Sequence, residues 1–338
     1  MRSITLSFFI ALITFTPLAF AADKSSDKPT LTVYTYNSFT SDWGPGPKVK
    51  KAFEESCNCS LKFVALEDGV SLLSRLKLEG KNTKADIVLG LDTNLTAEAK
   101  ATDLFAPHGM SIKNSSLPSE WKNDTFLPYD FGYFAFVYDK TKLKNPPTSL
   151  KDLVENKDAP KILIQDPRSS TPGLGLLLWV KQVYGDKAGE AWEKLAPRIV
   201  TVSKGWSEAY GLFLKDEAPM VLSYTTSPAY HIISEKKDNF AAAKFSEGHY
   251  QQIEVAGLVK SSKHHKLAKQ FLTFMLSEKF QSLIPTTNWM YPASLAKDKL
   301  PEAFNTLVDP APALIFDEET VAKNRKAWVK EWLNALAK

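Results

Sequence analysis

The chain has 338 residues, more than one hydrophobic core usually serves, so two units of ordinary size are expected. Its 44% hydrophobic and 24% charged residues exclude a disordered or fibrous protein, and a net charge of +4 with no basic block interleaved with aromatics excludes a nucleic-acid tracker. More distinctive are 8 Trp and 11 Tyr, because amphipathic rings in such number often line sites for flat or cationic ligands.

The first residues read as an export signal. Arg2 supplies a positive start, Leu6 to Phe20 an apolar run, and Ala19-Phe20-Ala21 a small-residue cleavage site, so residues 1–21 are expected to be a signal peptide and the mature chain to begin near Ala22. The run is short for a membrane span, and no later stretch approaches roughly 18 uncharged apolar residues. The mature protein is therefore expected to be soluble and exported.

From residue 30 a short apolar run, a turn and a helical period alternate. Leu31 to Tyr36 reads as a strand, Lys48 to Glu55 as a helix, Leu61 to Leu66 as a strand, Val70 to Leu78 as a helix and Ala85 to Leu91 as a buried strand. The rhythm resumes with a strand at Ile162 to Gln165, a helix at Pro172 to Val183 and a strand at Ile199 to Val202. A helix at Ser207 to Leu214 and a strand at Met220 to Ser223 come next. Strands and helices alternating at this spacing predict parallel sheets in an α/β fold. Two longer strand-like runs, Phe131 to Tyr138 and Gln252 to Val259, break the rhythm and suit strands that cross between lobes. Cys57 and Cys59 are the only thiols; an i,i+2 bridge closes a tiny ring, so their pairing stays open.

Ligands of open α/β sheets bind beyond the carboxyl ends of the strands, so the residues just past each predicted strand are the candidates for a site. Tyr36, Ser38 and Trp43 stand at or after the end of the first, Glu67-Asp68-Gly69 after the second and Asp92 after the third. In the second half come Asp166 to Gly173, then Ser203 to Ser207 with Trp206, then Tyr224 to Tyr230. Aromatics and carboxylates thus recur at the same ends. Ser170 or Thr171 suits an N-cap, Pro172 the first helical turn, and the exposed N–H groups through Gly173 suit a phosphate, although caps of this type are common without any ligand. Asp68 and Asp92 suit an amino or ammonium group, or else plain caps and turns. Trp43, Trp206 and Trp289 with Tyr36, Tyr224 and Tyr230 suit a flat cation. No catalytic set emerges: Gly205-Trp-Ser-Glu-Ala209 lacks the last Gly of a nucleophile elbow, phosphate-binding glycine loops are missing, and the histidines are scattered without metal spacing.

The strings Leu31-Thr-Val-Tyr-Thr-Tyr-Asn-Ser-Phe39, Trp43-Gly-Pro-Gly-Pro47 and Leu66-Glu-Asp-Gly-Val-Ser71 resemble the bacterial periplasmic thiamine-binding proteins. So do Asp166 to Gly175, Lys204 to Tyr210, Ser223 to Tyr230 and Asn288 to Pro292, a similarity that runs through nearly all of the mature chain. The resemblance implies the two-lobed type II periplasmic binding fold with hinge crossover strands and an interlobe cleft. Lobe 1 is expected over residues 30–130 plus 255–290, lobe 2 over 134–250 plus 291–338, and the hinge near 131–138 and 250–259. It implies a non-enzymatic monomer without cofactor that captures thiamine or its mono- or diphosphate and hands it to an inner-membrane ABC permease and its ATPase. By motif position Tyr36, Trp43 and Asp68 belong to the first lobe's side of the site, Ser170, Trp206, Tyr224 and Tyr230 to the second, with Trp289 near the hinge and the phosphate of an ester at Ser170-Thr171. The rivals weighed against it are a thiaminase-like enzyme of the same fold, which needs a cleft cysteine, and a binder of another organic cation.

Overall fold

The structure is a computed structural model that describes residues 28–112 and 115–337. The expected signal peptide, residues 1–21, lies outside the described residues. The strands in chain order are β1 (Thr30–Tyr36), β2 (Ser60–Leu66), β3 (Ile87–Asp92), β4 (Phe105–Ala106), β5 (Phe126–Asp139) and β6 (Ile162–Gln165). They continue with β7 (Ile199–Ser203), β8 (Met220–Tyr224), β9 (Phe240–Ala242), β10 (His249–Val259), β11 (Tyr291–Pro292) and β12 (Ala313–Leu314). Their order is β2-β1-β3-β10-β5-β8-β6-β7. β1 is parallel to both β2 and β3, and β6 is parallel to both β7 and β8. The carboxyl ends of these two parallel sets, one per lobe, supply residues to the same cleft.

β5 and β10 join the sets. β5 pairs with β10 from Phe126 to Tyr133, then with β8 from Phe134 to Tyr138, so it passes from the first lobe to the second between Phe131 and Phe134. β10 meets β3 over Glu254–Leu258 and the second-lobe end of β5 at Gln251. Residues 134–138 and 255–259, read from sequence as hinge, are thus paired within a lobe. All 11 residues of β10 and 13 of the 14 of β5 are buried, including the polar His249, Gln251, Gln252, Glu254 and Asp130.

The C-terminal segment departs from expectation. β11 pairs with Phe131 and Asp130 at the crossing, and the helix Glu318–Leu336, capped by Asp317 accepting the Thr320 N–H at 2.8 Å, straddles the lobes. Arg325 Nε donates to Glu98 of the first lobe at 3.0 Å, while Glu331 accepts from Lys181 of the second at 3.0 Å and Trp332 packs on Trp192. An amphipathic helix at the chain end has no sheet position to fix it; its buried Val321 and Trp332 select whichever surface fits.

The helix Thr171–Tyr184 carries one end of the site and is fixed from inside. Ser170 caps its start, Gly185 at φ +55° ends it, and Trp179 is fully buried on Phe136, Phe245 and His249. At Gly175 it crosses the hinge strand so closely that a Cβ would lie 2.0 Å from the ring of fully buried Phe134. Gly175→Ala therefore overpacks this crossing and is expected to lower the unfolding free energy by about 1–3 kcal/mol in urea denaturation.

Candidate functional site

Between the lobes lies a cavity of about 250 Å³. From the first lobe it is lined by Tyr36, Ser38, Trp43 and Asp68; from the second by Thr171, Trp206, Ser207, Tyr210, Gly211, Leu214, Tyr224, Ser227 and Tyr230; and from the hinge by Glu254, Asn288, Trp289 and Met290. Of the residues singled out from the sequence, Tyr36, Ser38, Trp43, Asp68, Thr171, Trp206, Tyr224, Tyr230 and Trp289 meet here. None of the lining residues is basic.

The aromatic walls are held by specific contacts. The Tyr36 ring lies over Gly90, whose φ of +107° and missing Cβ make room: a Cβ there would sit 2.3 Å from that ring. Trp206 stacks on Tyr210 at 4.9 Å and donates its indole N–H to Ser223 Oγ at 2.8 Å. Tyr230 meets Trp289 edge-on at 5.3 Å, and Trp289 sits at φ +58°, a strained geometry for a bulky residue of the kind that clusters at functional sites. Trp43 stands at the mouth, 47% exposed, with its ring 6.0 Å from Trp206 across the cleft.

The floor is acidic. Asp92 on β3, Glu254 on β10 and Asp130 on β5 are direct cross-strand partners in adjacent strands, a row of three carboxyl groups, all buried. β10 is irregular between Glu254 and Val255 where it runs beside β5, the kind of local distortion that re-aims a side chain. Like charges set directly opposite repel. Hydrogen-bond donors surround them: Tyr36 and Tyr129 hydroxyls both reach Glu254 Oε2, at 2.8 and 2.5 Å. Asn288 Nδ2 donates to Asp130 Oδ2 at 2.6 Å, and Asn94 donates twice to Asp92. Burial pushes Asp92 up to about 7, with Glu254 adding to the effect and the Asn94 side chain opposing it. Burial, then the Glu254 charge, lifts Asp130 well above the usual carboxylate range, and burial also raises Glu254 against its two phenol donors. Burial, then Glu254, raises Tyr36, Tyr129 and Tyr224 as well, so these phenols remain donors at neutral pH.

Sequence reading missed Glu254, Asp130 and Asn288. The signal was present as a carboxylate inside each of two long strand-like runs, where isolated charge is expensive to bury.

Three predicted residues do not line the cavity. Asp92 lies beneath it, screened by Glu254 and tied to Asn94. Ser170 is fully buried, and its hydroxyl donates to Asp68 Oδ2 at 2.7 Å instead of facing an anion. Gly173 is buried against the Gln165 and Asp166 backbone. Of the helix start read as a phosphate cradle, Thr171 lines the cavity while the Ser170 hydroxyl is taken up by Asp68 of the opposite lobe. Asp68, for which a cap was the plainer reading, makes no side-chain bond to its own helix Gly69–Glu79. Burial pushes its carboxyl up to about 7 despite hydrogen bonds from Ser170 and the Trp206 N–H.

Cys57 and Cys59 are joined in a disulfide between the C-terminal end of the helix Gly46–Glu54 and the amino end of β2, and neither lines the cavity. Among the described residues no His/Cys/Asp/Glu group can hold a metal ion, and no helix is long and apolar enough to cross a membrane.

Two lobes joined by crossing strands, with a ligand-sized chamber between them, define a binding protein that encloses its solute. The chain belongs to the family of bacterial extracellular solute-binding proteins, whose family model matches residues 46–282. It is similar to the thiamine-binding periplasmic protein of Salmonella typhimurium, 62% identical over 321 residues that span 95% of this chain and 98% of that protein. The Escherichia coli protein of the same description is 62% identical over 311 residues, 92% of this chain and 94% of its own. A solved periplasmic thiamin binding protein superposes with a TM-score of 0.90 at 62% identity, covering 92% of this chain and 97% of that one.

The acid row makes stability depend on pH. A carboxyl whose pKa is raised on folding contributes stability that is complete below about pH 4 and lost as pH rises through the folded value, which is about 7 for Asp68 and Asp92. The ligand-free protein is expected to lose this contribution between pH 4 and pH 7, which urea titrations at several pH values measure. Glu254→Gln, which keeps an oxygen for both phenols and removes the central charge, is expected to flatten that loss. It is also expected to weaken an organic cation about tenfold or more in calorimetry.

Proposed function

We infer that this chain captures thiamine in the periplasm and delivers it to an inner-membrane ABC importer, a permease with its ATPase. The reading is carried by the floor of buried carboxyls with no basic side chain in the cavity lining, beneath aromatic walls. Thiamine joins an aminopyrimidine to a permanently cationic thiazolium. The cation suits Glu254 and Asp68, the amino group suits carboxylate acceptors, and two flat rings suit Trp206, Tyr224, Tyr230 and Trp289. Each ring contact with a cation contributes about 0.5–2 kcal/mol, more once desolvated. The descriptions of the relatives support the same ligand and compartment, and export agrees with residues 1–21 acting as a cleaved signal peptide.

The mono- and diphosphate esters enter with the phosphate toward the mouth. Asp68 occupies the Ser170 cap, whereas Ser38 and Ser207 line the cavity on its solvent side. The protein acts as a monomeric carrier without catalysis or cofactor. A thiaminase-like step needs a thiolate in the cleft, and both thiols of this chain are joined to each other away from the cavity. A carrier of this kind works by population shift: only a ligand that binds the closed lobes better than the open ones drives closure.

Tryptophan fluorescence of the mature protein, freed of bound ligand by refolding, tests the reading in titrations with thiamine, its monophosphate and its diphosphate. Saturable change at submicromolar ligand is expected. Trp206→Ala and Tyr230→Ala are each expected to weaken binding about tenfold, the equivalent of one good cation–π contact. No response to any of the three ligands would overturn the assignment, and release of free pyrimidine in the presence of an added amine would overturn the non-enzymatic part.

A further inference from the structure

A fully buried histidine stands behind the aromatic walls without lining the cavity itself. His231 begins the π-helical turn His231–Glu235, a rare wide turn of the kind found at functional sites. Its Nδ1 lies 3.0 Å from Glu235 Oε2, and its Nε2 lies 2.8 Å from the Tyr210 hydroxyl. Burial works against the Glu235 charge, but His231 and Lys237 hold that carboxyl below its ordinary value. A carboxylate only accepts, so Nδ1 carries the imidazole proton. Burial opposes a second proton on the ring, against the pull of Glu235, which leaves the imidazole neutral at neutral pH. Nε2 is then an acceptor, and the Tyr210 phenol donates to it.

The same imidazole supports two walls. It stacks on Phe240 of β9 at 3.8 Å and lies nearly parallel to Tyr210 at 6.0 Å, while Tyr230 meets it edge-on at 4.9 Å. Tyr210 in turn carries Trp206, and Tyr230 carries Trp289. Four of the rings lining the cavity are thus no more than one ring removed from His231. We propose that His231 is a positioning residue for the ligand: locked as the Nδ1–H tautomer by Glu235, it accepts the Tyr210 hydroxyl and fixes the ring stack that presents Trp206 to a flat cation. The inference deepens the reading of this cavity as a cation site and rests on it. With its proton committed to the imidazole, Tyr210 offers the cavity a ring face and no donor, which suits a cation. The anchored hydroxyl also stops the ring from turning away from Trp206, so the stack is formed before the ligand arrives. Without Nε2 the phenol is buried with no partner and must seek one elsewhere, taking the stack with it.

Calorimetric titration of thiamine at about pH 7.5 tests the proposal on wild type, Tyr210→Phe, His231→Gln, His231→Asn and the double variant of Tyr210→Phe with His231→Asn. A Gln amide reaches where Nε2 stood, and an Asn amide only where Nδ1 stood. Tyr210→Phe and His231→Asn are each expected to weaken thiamine about fivefold or more, and the double variant no further than the weaker single one. His231→Gln restores an acceptor for the phenol and is expected to bind at least about threefold tighter than His231→Asn. No loss in Tyr210→Phe, equal losses in Gln and Asn, or losses that multiply in the double variant would overturn the proposal and leave His231 merely structural. Because a variant at a buried histidine can fail to fold, nitrogen NMR of histidine-labelled wild type gives a second reading. Tyr210→Phe, which keeps the ring, identifies the His231 signal. A neutral imidazole protonated on Nδ1 is expected, with ring-nitrogen signals that move when thiamine saturates the protein. A proton on Nε2, an imidazolium, or signals indifferent to bound thiamine would contradict the proposal. Failure of wild type to bind thiamine at all would instead sink the cation-site reading, while the tautomer is still read from the ligand-free protein.

Discussion

The structure turns on one unfavourable arrangement: Asp92, Glu254 and Asp130 placed side by side on three adjacent strands, buried, with no basic residue in the cavity above them. A protein selected only for stability would not keep like charges as direct cross-strand neighbours. Much around the row serves to make it tolerable without neutralising it. Tyr36 and Tyr129 give Glu254 their hydroxyl protons, and Asn288 and Asn94 supply amide donors to the flanking aspartates. What these donors leave unmet is positive charge, and the cavity above is where it can enter. Strain and repulsion gathered at one place, and compensated elsewhere by a large core, mark a functional site.

The row also sits where it matters for movement. Glu254 and Asp130 are on the two strands that pass between lobes, and Asn288 and Trp289 come from the segment that leads into β11 at the same crossing. A ligand seated on Glu254 as proposed would be at the pivot, with Trp206, Tyr224 and Tyr230 of the far lobe lining the same cavity. Charge at the pivot and aromatic area on the moving side give the differential contact with the closed state that closure requires. The C-terminal helix, bonded to Glu98 on one lobe and Lys181 on the other, ties the lobes at a second place and limits the motions open to them.

Much of this was legible in the sequence because the parallel strands announce their carboxyl ends. Tyr36, Asp68, Trp206 and Tyr224 each come within a few residues of the end of a short apolar run, and the fold rule that ligands sit there does not depend on tertiary detail. Pro172 after Ser170 likewise marked a helix start correctly, but its use was not legible. Whether a cap faces solvent, an anion or another lobe is decided by a contact 102 residues away in the chain, Asp68 to Ser170. Glu254 and Asp130 escaped for a related reason. They lie in the middle of long strands away from any strand end, and the pairing register that lines them up with Asp92 is a long-range property. The C-terminal helix carries no local signal of which lobe it joins, since it joins both.

The most direct measurement is the number of protons released when thiamine binds, obtained by calorimetry in two buffers of different ionisation enthalpy at about pH 6.5. Burial pushes Asp92 up to about 7, so a permanently cationic ligand that favours its charged form is expected to drive protons off the site at that pH. Release of a substantial fraction of a proton per thiamine bound, falling toward zero at about pH 9, is the predicted result. Binding with the same heat in both buffers would mean that no carboxyl changes state when the cation arrives, and would contradict the assignment of the acid row as its counter-charge.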